Sequence, residues 1–181
     1  MPDTPTKSDF APYGQAPVQN WPVILETRGW KDYCLLDMGE GQKLERYGRF
    51  SIVRPEPQAM GRRRLKPAAW ERANAVFSGD TEEEGPGRWK FSGNVPETWE
   101  MAYGPVKYIG RFMSFRHVGV FPEQAAHWDW VNGKIRAERT KNPDHPLKIL
   151  NLFGYTGLAS LLPATEGAQV THVDASKKAI G

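Results

Sequence analysis

With a single cysteine, Cys34, the chain can form no internal disulfide and no cysteine-based metal cluster, a usage that suits a reducing cytoplasm. It has no run of about eighteen apolar residues, so no membrane-spanning helix and no membrane partner is expected. The polar stretch Met1 to Gln19, rich in Pro, Gly and Thr, lacks the basic start and apolar core of a secretory signal, and residues 1–20 read as a disordered tail. His117, His127, His145 and His172 show no metal-ligand spacing, and no metal is expected. Neither sign of charge dominates. The net value of +3 permits a nucleic-acid partner without requiring one, because phosphate binding needs clustered charge. What is present, 181 residues with a quarter of them charged, fits a globular chain of one domain or two small ones.

From Trp21 to about Lys66, short β-like runs alternate with turn residues. Pro22–Leu25, Tyr33–Leu36, Lys43–Tyr47 and Phe50–Val53 are the expected strands, with hairpin signals at Met38-Gly39-Glu40-Gly41 and at Tyr47-Gly48. A second set runs from Val76 to Phe115, as Val76-Phe77, Arg88–Phe91, Glu100–Tyr103 and Val106–Ile109, with Asp80–Glu84 as a solvated acidic loop. The period then changes. Phe121, Ala125, Trp128, Val131 and Ile135 share one face of a helix that Pro122 and Glu123 suit as a first turn. The expected organisation is a tail over 1–20, a β-rich segment over 21–115 and an α/β unit over 116–181.

That last unit carries the chemistry. Leu147–Phe153 is an apolar run of the kind buried in a parallel sheet, followed by Gly154-Tyr155-Thr156-Gly157, a helix from Leu158, and a second strand Gln169–Val173 ending on Asp174. Glycines at such a turn let the backbone pass close to a ligand, and the helix start offers N–H groups to an anion. An acid about twenty residues on can accept from two ribose hydroxyls. Together these describe a pocket for an adenosine-containing ligand. The plainer alternative is that the glycines only make a tight turn and Asp174 caps the helix starting near Ser176. The dinucleotide fingerprint G-x-G-x-x-G is absent, since the spacing here is G-x-x-G.

The stretch Leu150-Asn151-Leu152-Phe153-Gly154-Tyr155-Thr156-Gly157 resembles motif I of class I S-adenosylmethionine-dependent methyltransferases. More narrowly it resembles a bacterial rRNA methyltransferase group with the motif N-x-F-S-Y-T-G, Gly154 standing where that group often has Ser. Val173-Asp174-Ala175-Ser176 is similar to the group's V-D-x-S, and Gly119–Gln124 to its G-x-F/Y-L-D-Q, with departures at Pro122 and Glu123. The resemblance implies a Rossmann-like α/β domain that binds S-adenosyl-L-methionine and acts on RNA, with ribosomal RNA as a candidate. It implies that Phe153, Gly154, Tyr155, Thr156 and Gly157 face the methionine part, that Asp174 holds the ribose, and that Ala175 and Ser176 line the adenine. Phe121 and Gln124 would close the pocket. Only the first two strands of such a seven-stranded sheet precede Gly181. The resemblance therefore implies an incomplete domain, truncated before its catalytic segment, in a chain that is inactive as it stands and offers no nameable catalytic residue.

Other features allow other readings. Arg62-Arg63-Arg64-Leu65-Lys66 is the one dense basic cluster, and with Trp70 and Trp89 it reads either as an RNA-contacting surface or as a solvated loop. Cys34, in a β-like run, reads as a small hydrophobe rather than a nucleophile. His172 reads as a packed or hydrogen-bonded strand residue, and Pro163 as an early stop to its helix. Two further functions remain open: a nucleotide-dependent oxidoreductase with a variant glycine turn, and a non-catalytic RNA-binding or interaction module.

Overall fold

A computed structural model describes residues 24–79, 87–113 and 115–177. The expected tail over 1–20 and the acidic loop over 80–84 lie outside the described residues, as do Pro22 and Val23. Three antiparallel strands come first: β1 (Tyr33–Gly39), β2 (Gln42–Tyr47) and β3 (Phe50–Pro55). The β1–β2 hairpin turns on Glu40 and Gly41, both at positive φ, as a two-residue turn matched to strand twist requires. A crossover through the short helix α1 (Pro67–Glu71) places β4 (Ala75–Gly79) parallel to β3, and β5 (Gly87–Phe91) closes the five-stranded sheet in the order β1-β2-β3-β4-β5. A separate hairpin follows, β6 (Thr98–Tyr103) with β7 (Val106–Arg111).

Two differences from the sequence reading are local. Ile24 and Leu25 form no strand; both are exposed coil ahead of β1, with no buried face to pack their side chains against. Helix α1 carries no sequence signal beyond Pro67, because five residues are too few to show a helical period.

Alternation along β2 and β3 sorts the sheet into two faces. Leu44 and Val53 point to a small core with Trp70 and Ala73 from the α1 region. Tyr47, Phe50 and Ile52 point the other way, into a larger core with Trp30, Trp99, Met101, Phe112, Val118, Trp128, Leu158 and Leu162. That core joins the sheet, the β6–β7 hairpin and the helices that follow. Rings meet there edge to face, Trp30 with Tyr103 at 4.8 Å and Tyr103 with Trp128 at 5.3 Å between centroids.

Within the same face lies a buried ion pair. Arg54 of β3 donates to both carboxylate oxygens of Glu45 on β2, at 2.8 and 2.9 Å, and to the Tyr47 hydroxyl at 2.7 Å. Tyr33 and Tyr47 add their own hydroxyl donors to Glu45. Burial works to raise the Glu45 carboxyl, but Arg54 more than offsets this and holds it below the ordinary range. Arg54 also donates to the carbonyl of Arg116, tying the sheet to the segment before the next helix.

That segment enters through a 3-10 turn, Pro122–Gln124, into α2 (Ala125–Lys141), which buries Ala125, Trp128, Asn132 and Ile135 along the expected face, with Val131 half-buried. The chain then forms β8 (Lys148–Leu152), α3 (Leu158–Thr165) and β9 (Gln169–Val173), the two strands parallel and in register from Lys148↔Gln169 to Leu152↔Val173. Helix α3 ends two residues after the buried Pro163, whose missing N–H cannot extend the ladder. Among the described residues, no helix is long and apolar enough to cross a membrane.

Candidate functional site

The turn between β8 and α3 is held from both sides. The Gly154 N–H donates to the carbonyl of Val173 at the end of β9, at 3.0 Å, and the Tyr155 N–H donates to Asp174 Oδ2 at 2.7 Å. The other oxygen, Oδ1, accepts from the Ser176 N–H at 2.7 Å. Asp174 thus joins the tips of the two parallel strands and the start of the next turn. These bonds, from Ser176 first and then Tyr155, hold its carboxyl below the ordinary carboxylate range, aided by nearby His172. Each oxygen still has a lone pair for a further donor.

Backbone strain concentrates here. Phe153 and Tyr155, neither of them glycine, sit at φ of 57° and 53°, and Gly157 opens α3 from a left-handed φ of 97°. Gly157 is therefore at a position that favours glycine by conformation. Gly154 has a different reason. Its φ is not positive, but a Cβ there would overlap the His172 ring, so the close approach it permits is to a side chain of the protein.

A cavity of about 340 Å³ opens at this turn, a volume in the range of small-molecule sites. Phe121 and Gln124 wall it from the α2 side, and Phe153, Gly154, Tyr155 and Thr156 from the loop. The Phe121 and Tyr155 rings lie 4.9 Å apart, and Thr156 Oγ1 donates to the carbonyl of Gly119 at 2.6 Å, so the loop and the α2 entry are pinned together. Burial raises the Tyr155 hydroxyl above its ordinary value. Gly157, Asp174, Ala175 and Ser176 lie outside this wall, Asp174 reaching it through Tyr155 N, and Ala175 and Ser176 are exposed. Trp128 and Asn151 also line the cavity; sequence position alone marked the first as a core residue and gave the second no role of its own.

The structure treats the remaining candidates differently. Trp70 is buried and donates its indole N–H to Asp37 at 3.0 Å, and the half-buried Trp89 donates to the Met113 carbonyl at 2.8 Å. Trp70, buried and with its N–H engaged, is a core residue rather than a stacking platform for a base. The basic cluster beside them is an ordered loop. The buried Asp37 carboxylate accepts backbone N–H groups from Arg64 and Leu65, and Arg63 lies over the Trp70 ring at 4.1 Å. Arg62, Arg64 and Lys66 project outward from it and are exposed. Cys34 is exposed on β1, where it lines a larger groove of about 770 Å³ between residues 25–30 and β1–β2. Of the predicted ligand residues that groove contains none; the strained loop and its acid lie at the smaller cavity.

No family model and no curated protein matches the chain. Among solved structures it is similar to an S-adenosylmethionine-dependent methyltransferase from Agrobacterium tumefaciens, with 51% identity and a TM-score of 0.79 over 88% of this chain and 49% of that one. It also shares its fold, at 17% identity and over 82% of its length, with two further proteins. One, from Streptococcus mutans, is assigned as a methyltransferase of the same kind (TM-score 0.56, 40% of that chain); the other is a methyltransferase assignment solved in complex with SAH (TM-score 0.54, 39% of that chain). The chain spans about half the length of the first and less of the other two. Over the matched region its mixed α/β fold is that of S-adenosylmethionine-dependent methyltransferases.

Proposed function

We propose that the chain binds S-adenosyl-L-methionine at the β8–α3 turn, as part of a methyltransferase acting on RNA in the cytoplasm. The observation that carries this reading is Asp174, fixed at the tip of β9 by two backbone N–H groups while it clamps the strained turn at Tyr155. The residues fit the cofactor. Asp174 retains a lone pair on each oxygen for the two ribose hydroxyls, and Ala175 and Ser176 follow it, exposed, where the adenine would lie. Phe153 to Gly157 would hold the methionine end, with Phe121 and Gln124 closing the cavity. When bound, the cofactor supplies a methyl group on a positively charged sulfur; the residues of this chain bind and orient it and exclude water. The G-x-x-G spacing and a Gly154 already filled by His172 disfavour a dinucleotide, whose pyrophosphate needs that backbone approach.

No residue of the chain is given a catalytic role in this reading. The chain would supply one wall of the cofactor site and the β-rich segment, over about half the length of the methyltransferase it matches at 51% identity. For the RNA partner, ribosomal RNA included, the support is the ordered loop that presents Arg62, Arg64 and Lys66 together. Equilibrium dialysis with labelled S-adenosylmethionine tests the first part. Binding to the unaltered protein and its loss in Asp174→Ala are expected, and equal binding by the two sinks the ribose role. Salt-dependent RNA binding that survives replacement of Arg62, Arg64 and Lys66 by Ala would remove the loop from the interface.

A further inference from the structure

One contact in the β-α-β unit is used neither by its glycine turn nor by its acid. Asn151 on β8 and His172 on β9 are register partners, side by side beneath α3. Ser160 of α3 bridges them: Asn151 Nδ2 donates to Ser160 Oγ at 2.8 Å, and the same hydroxyl lies 2.8 Å from His172 Nδ1. A hydroxyl oxygen can accept from two donors or donate its own proton, so the bond to Nδ1 forms with either tautomer and holds the imidazole in place in both. The ring so fixed lies against the turn. A Cβ on Gly154 would overlap it, and one on Gly157 would stand 3.9 Å from Cε1. Gly154 therefore packs on the imidazole, with Gly157 near it, and the Gly154 N–H to Val173 bond keeps the turn there.

We infer that His172, clamped by Ser160 and Asn151, is the positioning residue that sets the height of the Phe153–Gly157 loop and through it the shape of the cofactor site. The inference rests on the assignment of that site to S-adenosylmethionine. Phe153 and Tyr155 adopt a backbone conformation that such residues keep only where their surroundings impose it, and Gly154 between them is the residue that packs on the imidazole.

NMR of the unaltered protein without ligand tests the loop directly. The amide signals of Gly154 and Gly157 should shift in Ser160→Ala, which leaves the imidazole in place but removes its clamp; amides indifferent to that change overturn the inference. Calorimetry with S-adenosylhomocysteine then tests the consequence. Affinity should fall about tenfold in His172→Ala, the scale on which a lost supporting contact acts, and return in His172→Asn, which keeps an acceptor near the Nδ1 position. Unchanged affinity in His172→Ala overturns the positioning role even if melting temperature drops. A protein that shows the amide response but binds no S-adenosylhomocysteine upholds the loop contact and overturns the cofactor assignment instead.

Discussion

At Gly154 the structure gives glycine a different reason from the one the sequence suggests. Glycine at a strand-to-helix turn is expected to make room for a ligand, yet here the room is taken by the His172 ring. That neighbour lies eighteen positions on, across the parallel ladder, where no local pattern reaches it. His172 itself was legible as a hydrogen-bonded strand residue, but its partner Ser160 was not. Gly154→Ala should therefore lower stability by about 1–3 kcal/mol through overpacking, read from the urea midpoint, while a Gly154→Ala protein as stable as the parent would mean the ring moves freely. His117 gives a second residue-scale expectation. Burial, with Arg54, Arg116 and Lys43 nearby, pushes its imidazole down from 6.5 to about 4, and its Nε2 is buried without a partner. The native state then binds fewer protons than the unfolded chain between those values. Its contribution is full above about pH 6.5 and is lost as pH falls toward 4. Thermal melts across that window should show a slope that His117→Phe flattens.

At the scale of elements, the strands were legible because alternation and turn chemistry agree: β2, β3 and the β6–β7 hairpin lie where Lys43–Tyr47, Phe50–Val53, Glu100–Tyr103 and Val106–Ile109 placed them. Helix α1 and the coil at Ile24–Leu25 were not, one being too short for a period and the other an apolar run that stays exposed. Nor was the pairing of β3 with β4 legible, since a parallel contact depends on the crossover between them. The Glu45–Arg54 pair is a consequence of that topology, two charges on adjacent strands turned into the core. Arg54→Ala leaves a buried carboxylate without its cation and should cost about 3–5 kcal/mol, measured by chemical denaturation. With the Glu45 carboxyl held below its ordinary value, the pair stabilises fully above that value and is lost only as pH falls through the lower, folded one. A loss in Arg54→Ala below about 1 kcal/mol would show the site is wetter than its burial indicates.

Across the whole molecule, a single core runs from Trp30 and the five-stranded sheet to Leu158 and Leu162 of α3, so the β-rich segment and the β-α-β unit are packed together. The strand, turn, helix and strand from Leu147 to Asp174 were readable because apolar runs and a glycine turn are local signals. The wall contributed by Phe121 and Gln124 was readable only through resemblance, and the ordered state of the Arg62–Lys66 loop not at all, since the Asp37 carboxylate that anchors it sits 27 positions from Arg64. The chain spans about half of the methyltransferase it matches at 51% identity, and the reading of its pocket stands on local geometry. Calorimetric titration of the protein with S-adenosylhomocysteine and, in parallel, with NAD tests that reading most directly. Saturable binding of S-adenosylhomocysteine, none of NAD, and loss of the signal in Asp174→Ala are expected; binding of NAD, or S-adenosylhomocysteine binding indifferent to Asp174→Ala, would contradict it.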